Sequence, residues 1–456
     1  MRVRTRLAYC CPLPPTRSGI ADYAAEQIPE LKRCFDEMVL FCPGRPKIFE
    51  LAGLTVQALD RLTMEEPWNA IVYHVGNHFP FHGEIYDTAL RVPGVVILHE
   101  YGIHHLVRDK GRPENFMEEM RYAYGVLGEA VARRFVESGI TAGVEDFPLF
   151  ERLTDSNRGL IVHNESARER VLASRPKAQV RVVPHPLFQQ FPDGKAINKD
   201  SARALFGLPP EALVFGSFGF ATPAKRLGVV LSAFKRLRQK IPTAHFLLVG
   251  DLTSDPDLQE LLNKERLDGV EATGAVPMDS FIAAMRAVDI AVNLRHPPGG
   301  ETSGSALRLM GMSTPLIVSD SGSLAEIPDH CCVKITTDFN EEDELLAAML
   351  TLADGEDLRR QMGENVRIHT EAHHAPRASA EALASAIRDL SAFEPQIPRR
   401  NQVLRRPAPE ARLEDTFLGG IGAALHELGV GEDDTEIVNH VADLAKGLTS
   451  VMMFDQ

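Results

Sequence analysis

Twice along the chain, short runs of β-branched and aliphatic residues end at a glycine, asparagine or histidine and give way to helical periodicity. That alternation leaves few architectures other than α/β winding. In the first half the runs fall at residues 3–9, 38–41, 70–75, 95–99, 160–163 and 180–183. Val95, Val96, Ile97 and Leu98 are apolar without a break, the pattern of a parallel strand covered on both faces. In the second half strands are expected at 213–218, 244–249, 291–294 and 315–318, with helices near 226–240, 279–288, 303–312 and 340–370. Units of this kind wind right-handed and bind ligands beyond the carboxyl ends of their strands. The loops that follow the runs are therefore where chemistry is sought.

A chain of 456 residues exceeds what one hydrophobic core usually serves. A polar segment at 189–202, carrying Pro192 and Gly194, reads as a linker between the two windings. We expect Rossmann-like domains at 1–190 and 191–375, a closing helix at 376–393, and a linker and helical tail at 394–456. In the tail, Ile437, Val441, Leu444 and Leu448 recur at helical spacing, so it either covers a surface or pairs a homodimer. The net charge of −14 argues against a nucleic-acid partner, which needs a surplus of Lys and Arg on the binding face. The apolar stretch before Pro12 is too short for a signal sequence, and no apolar run reaches the roughly 18 residues of a membrane span. Cys10, Cys11, Cys34, Cys42, Cys331 and Cys332 show no Cys-x-x-Cys spacing and read as reduced thiols. These features fit a cytoplasmic protein.

Three loops stand out. Ser18-Gly19-Ile20-Ala21-Asp22-Tyr23 lies between the first strand and a helix, where Gly19 lets a ligand approach backbone N–H groups. Gly219 through Arg226 follows the strand at 213–218 and places Lys225 and Arg226 at a helix start, against the helix dipole, a conflict that an anionic guest would relieve. The third runs from Asn293 to Arg308, with Gly299, Gly300 and Gly304 beside Glu301, Thr302, Ser303 and Ser305. Its N–H groups suit a diphosphate and Glu301 suits sugar hydroxyls; helix capping alone explains the hydroxyls but not the three glycines. In the first half, His74, Asn77, His82, His99, Glu100, His104 and His105 gather at two strand ends, and His163 ends another. Asp255-Pro256-Asp257 has the residue types of a metal site, but its place before a helix reads as capping.

Over residues 5–390 the chain resembles the retaining glycosyltransferases of family 4, which have the GT-B fold. The resemblance rests on the order of Ser18 to Tyr23, Leu98-His99-Glu100, Ile161-Val162-His163-Asn164, Gly219 to Lys225, Glu301 to Arg308, and Ser313-Thr314-Pro315-Leu316-Ile317-Val318. It implies two Rossmann-like doubly wound domains facing a cleft, with acceptor recognition in the first, donor recognition in the second, and a helical C-terminal appendage. It implies transfer of a sugar (a hexosyl transfer) from a nucleotide-diphosphate sugar to a glycan, lipid-linked or small-molecule hydroxyl, with retention, no metal and no other cofactor. Lys225, Glu301 and His99 would be the catalytic residues. Gly19, Gly219, Lys225, Arg226, Glu301, Thr302, Ser303, Gly304, Ser305 and Arg308 would bind the donor. Two departures are visible: Phe220 stands where the family has a diphosphate-binding Arg, and Arg308 where it has a ribose-binding Glu. A catalytically silent donor-binding or scaffold protein is the alternative, ahead of an epimerase or a phosphorylase. A lipid-linked acceptor would bring the protein to the inner membrane face.

Overall fold

The computed structural model describes residues 5–63, 66–138, 146–187, 197–253, 255–264 and 267–396. They pack as two units. One holds the described residues of Met1–Pro184, Gly299–Glu301 and Arg377–Gln456, the other those of His185–Pro298 and Thr302–Pro376.

The first unit is built on an eight-stranded sheet of order β3-β4-β2-β1-β5-β6-β7-β8. Its strands are β1 (Arg6–Cys10), β2 (Glu37–Cys42), β3 (Glu50–Leu51), β4 (Leu54–Ala58), β5 (Ala70–Val75), β6 (Val95–Leu98), β7 (Gly159–Val162) and β8 (Val180–Val182). All its pairs are parallel except β3 with β4. Its helices are α1 (Gly19–Leu31), α2 (Phe79–Arg91), α3 (His104–Arg108), α4 (Pro113–Ser138), α5 (Glu151–Ser156) and α6 (Glu165–Ser174). Strand β1 shows why the runs are apolar throughout: Ala8 and Cys10 enter the core on one face with Tyr73, Leu98 and Phe150, while Leu7 and Tyr9 enter the core on the other with Ile28, Leu40 and Ile161. The second of these cores is completed from far along the chain. Leu383, Ile387 and Leu390 of the last described helix bury against it, each contributing about 1.5–3 kcal/mol.

The second unit has a six-stranded parallel sheet of order β11-β10-β9-β12-β13-β14. In chain order its elements are α7 (Lys199–Leu205), β9 (Val214–Phe218), α8 (Leu227–Lys240), β10 (His245–Val249), α9 (Pro256–Lys264), β11 (Val270–Gly274), α10 (Met278–Ala287), β12 (Ile290–Asn293), α11 (Gly304–Gly311), β13 (Leu316–Ser319), α12 (Gly322–Ala325), β14 (Cys332–Ile335), α13 (Glu341–Asp354) and α14 (Glu356–His373). The chain then enters α15 (Pro376–Ser391), the helix that returns to the first unit's core. In each sheet one strand marks a reversal of winding: β1 lies between β2 and β5, and β9 between β10 and β12. Loops leaving adjacent strands diverge there and open a crevice at the carboxyl edge.

The structure differs from the sequence reading in places. Strands β3, β4, β11 and β14 were not expected; β3, β11 and β14 end their sheets and carry half-exposed residues, so they lack the unbroken apolar signal. Residues 340–370 form two helices broken at Gly355, and Lys199–Leu205, which begins inside the expected linker, is helical with Asn198 as its cap. Ile437, Val441, Leu444 and Leu448 lie outside the described residues. No helix among the described residues is long and apolar enough to cross a membrane.

Candidate functional site

In the second unit, β9 and β12 are paired neighbours, so the loops after them leave the same end of the sheet at its switch point. They are joined by a hydrogen bond from His296 N to Ala224 O, 2.8 Å long. In the first of these loops Gly219 has φ +97° and donates its N–H to Val249 O. Gly250 sits behind it with φ +144°, and a Cβ there would overlap the Gly219 carbonyl, so the loop's path depends on that glycine. Lys225 is buried, and its Nζ donates to Phe218 O at 2.6 Å, holding the ammonium over the strand end. Arg226 takes the left-handed conformation at the cap of α8, and its Nε and Nη2 both donate to Glu341 Oε2, at 2.9 and 2.7 Å. The dipole conflict seen in the sequence is thus met at Arg226 by a buried carboxylate from the start of α13. Phe220 stands half exposed between Gly219 and Lys225.

The second loop leads into α11. Ser303 caps the helix, its Oγ accepting from Ala306 N at 3.3 Å and from Asn293 Nδ2 at 2.8 Å, with Ser305 Oγ 3.2 Å away. Gly304 opens the helix with nothing within 4 Å of where a Cβ would stand, and the leading N–H groups of any helix lack intrahelical acceptors. Arg308 is buried on α11, and Thr302 precedes the cap. The structure therefore gathers Gly219, Lys225, Arg226, Thr302, Ser303, Gly304, Ser305 and Arg308 in one unit. Glu301 packs with the other unit, where its Oε2 accepts from Gly299 N at 3.0 Å. Asp255 caps α9 through Leu258 N. Among the described residues no group of three His, Cys, Asp or Glu side chains is arranged to hold a metal ion.

In the first unit, Gly19 opens α1 behind the cap Ser18, again with open space at its Cβ position. His99 follows β6 directly and donates its N–H to Val75 O. Its imidazole Nε2 lies 2.9 Å from His74 Nδ1, its ring is edge-on to Tyr23, and His163 stands 5.1 Å off, centroid to centroid. His163 Nδ1 is tied to Val183 O, and His82 Nδ1 to the carbonyl of His74. Burial holds two of these rings neutral: His74 titrates well below the usual histidine range and His82 is pushed down to about 4. His104, also buried and beside His105, is pushed down to about 3. Asn77 and Glu100 have local duties, since Glu100 accepts from Asn77 N and Asn77 Oδ1 accepts from His105 N and Leu106 N. Sequence reasoning missed Glu341. The acidic run at the start of α13 is legible as a helix beginning, but its pairing with an arginine 115 positions away is not.

Solved structures share this architecture. Sucrose-phosphate synthase from Thermosynechococcus elongatus aligns over 85% of this chain and 99% of its own, with a TM-score of 0.60 and 16% identity. HepE of Anabaena, crystallised with UDP and glucose, aligns over 84% of this chain and all of its own, with a TM-score of 0.58 and 14% identity. The fold is GT-B. The family profile described as glycosyl transferases group 1 matches residues 209–355, inside the second unit. A D-inositol 3-phosphate glycosyltransferase of Corynebacterium kroppenstedtii is 24% identical over 253 residues, 53% of this chain and 54% of that one. An uncharacterized glycosyltransferase of Methanocaldococcus jannaschii is 28% identical over 153 residues, 33% of this chain and 41% of that one. The matched region thus spans about half the length of these curated relatives or less. The profile thus likens residues 209–355 to group 1 glycosyl transferases, and the solved structures share the fold.

Proposed function

We propose that the chain is a retaining glycosyltransferase of family 4 that moves a sugar, a hexose in the simplest case, from a nucleotide-diphosphate sugar to a hydroxyl acceptor without a metal ion. The observation that carries this reading is the switch point of the second sheet. There a buried ammonium, Lys225, and the N-terminal amides of α11 belong to loops leaving adjacent strand ends. Both are suited to a diphosphate. In transfer the bond between the anomeric carbon and the diphosphate oxygen breaks, and the diphosphate leaves with the electron pair. The acceptor oxygen bonds to the same carbon from the same face and passes its proton to the departing diphosphate oxygen. Negative charge grows on the departing diphosphate, and fixed donors aimed at it lower the barrier more than they stabilise the ground state. Lys225 and the amides of Gly304 and Ser305 fill that role, Gly219 and Gly304 allow close approach, and Glu301 and His99 contact the donor sugar. Because HepE binds UDP and glucose, a UDP-sugar is the first donor to try.

One observation favours the alternative of a catalytically silent donor-binding protein: Arg226 is already spent on Glu341, leaving Lys225 as the cation of that loop facing the diphosphate. A thermal-shift screen against UDP-, GDP-, ADP- and TDP-sugars, with and without EDTA, tests donor binding first. A ligand at about a hundred times its Kd adds roughly 2.7 kcal/mol. Stabilisation by one base, indifferent to EDTA, is the expected result; no shift with any of the four refutes the reading.

A further inference from the structure

Three histidines gather at the end of α14, in the second unit and outside the loops described above. His369 and His373 stand four positions apart, a spacing at which side chains share one face of a helix. Their rings lie 4.7 Å apart, centroid to centroid, with 40° between their planes. Among the described residues neither ring has a hydrogen-bond partner, so the lone pair of each neutral imidazole is open to an outside group. The neighbours are engaged elsewhere. Glu371 is paired with Arg367, and the third histidine, His374, donates from Nδ1 to His185 O at 2.7 Å and sits 6.0 Å from His369. Burial, with the imidazoles of His373, His374 and His330 nearby, pushes His369 down to about 4, so its ring is unprotonated at neutral pH.

We propose that His369 and His373 form a two-nitrogen clip for a divalent first-row transition metal on the last turn of α14, separate from the sugar-transfer chemistry. The spacing fits such an ion. Imidazole nitrogen binds zinc at about 2.0–2.1 Å, and roughly 1.2 Å more from nitrogen to ring centre puts each centroid about 3.2 Å from the metal. Ligand angles of about 90–110° then separate the two centroids by about 4.5–5.2 Å, and the observed 4.7 Å falls inside that range. Paired imidazoles suit Cu²⁺, Ni²⁺ and Zn²⁺ rather than Mg²⁺ or Ca²⁺, which take oxygen ligands, and water fills the remaining positions. A bound ion ties one turn of the helix to the next, at the end where helices fray. That end has a local duty: His374, the next residue, accepts from Leu187 N at 2.7 Å as well as donating to His185 O. The metal therefore stiffens the turn to which His185 and Leu187 are bonded.

The test takes the full chain without a polyhistidine tag, clears it of metal with EDTA, dialyses it and titrates it with Ni²⁺ near neutral pH by isothermal calorimetry. Thermal unfolding with and without Ni²⁺ gives a second readout, since an ion that binds the folded chain raises Tm. The wild type should bind Ni²⁺ saturably and gain Tm. Joining two ligands on one scaffold raises affinity by about 10²–10⁴, so His369→Gln and His373→Gln should each weaken this site about a hundredfold or more and remove the Tm gain. His373 is exposed and His369 half-buried, so both variants should fold, as circular dichroism would show. His330→Gln, which removes the neighbouring imidazole, should leave the site intact, and Mg²⁺ should give neither heat nor shift. Full Ni²⁺ affinity in either single variant overturns the inference, as does a wild type that binds no Ni²⁺. A site lost as completely in His330→Gln as in His373→Gln also overturns the two-ring clip. Each of these results stands whether or not the chain transfers a sugar.

Discussion

Lys225→Met separates function from stability. The buried ammonium donates to Phe218 O at 2.6 Å, so methionine removes one charge-assisted hydrogen bond and relieves the cost of keeping a charge out of water. The stem is of similar length, no large cavity opens, and the two terms oppose each other. The unliganded protein should therefore change by no more than about 1 kcal/mol, in either direction. Donor binding has no such compensation. Hydrogen bonds to charged groups contribute about 1.5–3 kcal/mol, so Kd should rise roughly 10–150-fold. At a donor concentration of about a hundred times the wild-type Kd, the stabilisation of roughly 2.7 kcal/mol falls to about 0.3–1.4 kcal/mol. In Tm, a shift of roughly 5–10 °C shrinks to a few degrees or less. Urea unfolding gives the first quantity and thermal shift with and without sugar nucleotide the second. A variant that is several kcal/mol less stable yet keeps its full ligand shift would make Lys225 a structural residue and remove the basis of the proposed site.

Gly250→Ala should cost about 1–3 kcal/mol from its φ of +144° alone, and more because the new Cβ meets the Gly219 carbonyl; urea unfolding measures it, and a near-neutral result would contradict the described backbone. Gly304→Ala is the converse, since its surroundings are open: stability should stay within about 1 kcal/mol while donor affinity falls, as a titration with the sugar nucleotide would reveal. Acid should weaken the fold through its buried histidines. A folded pKa below the unfolded value of 6.5 means that the unfolded chain binds more protons, so this stability is complete above about pH 6.5 and drains as pH falls toward 4. His82, pushed down to about 4, accounts for about 3 kcal/mol of the loss, and His74 and His104 act in the same direction. Urea midpoints at pH 7 and pH 5 check this, and His82→Gln should flatten the dependence.

The winding was legible because strands buried on both faces advertise themselves: Val95 to Leu98 needs no partner to be recognised, and β1, β5, β6, β9, β12 and β13 all lie where apolar runs end at small or polar residues. Strands β11 and β14 were not, since Glu271 and Thr273 in the one and Lys334 in the other answer to solvent as much as to a core. The loops were legible as loops because glycine and helix-capping chemistry is local. Ser18, Asn164 and Ser303 each accept from the helix they begin, within three residues of themselves. What sequence could not give is pairing over distance. Arg226 looked like a second cation awaiting an anion, yet Glu341 holds it, and nothing near either residue announces the other. The junction of His74 with His99 is of the same kind, two strand ends brought side by side by the β5–β6 pairing.

The central claim is metal-independent sugar transfer with retention from a nucleotide-diphosphate sugar. The most direct measurement is proton NMR of the purified full chain with each of the four sugar nucleotides and a panel of hydroxyl acceptors, in EDTA, following the anomeric signal from donor to product. The account predicts loss of one donor's signal, release of its nucleoside diphosphate and a new anomeric signal of the same configuration, none of which occurs with Lys225→Ala. A product of inverted configuration, activity abolished by EDTA, or a donor that binds and is never consumed would contradict it.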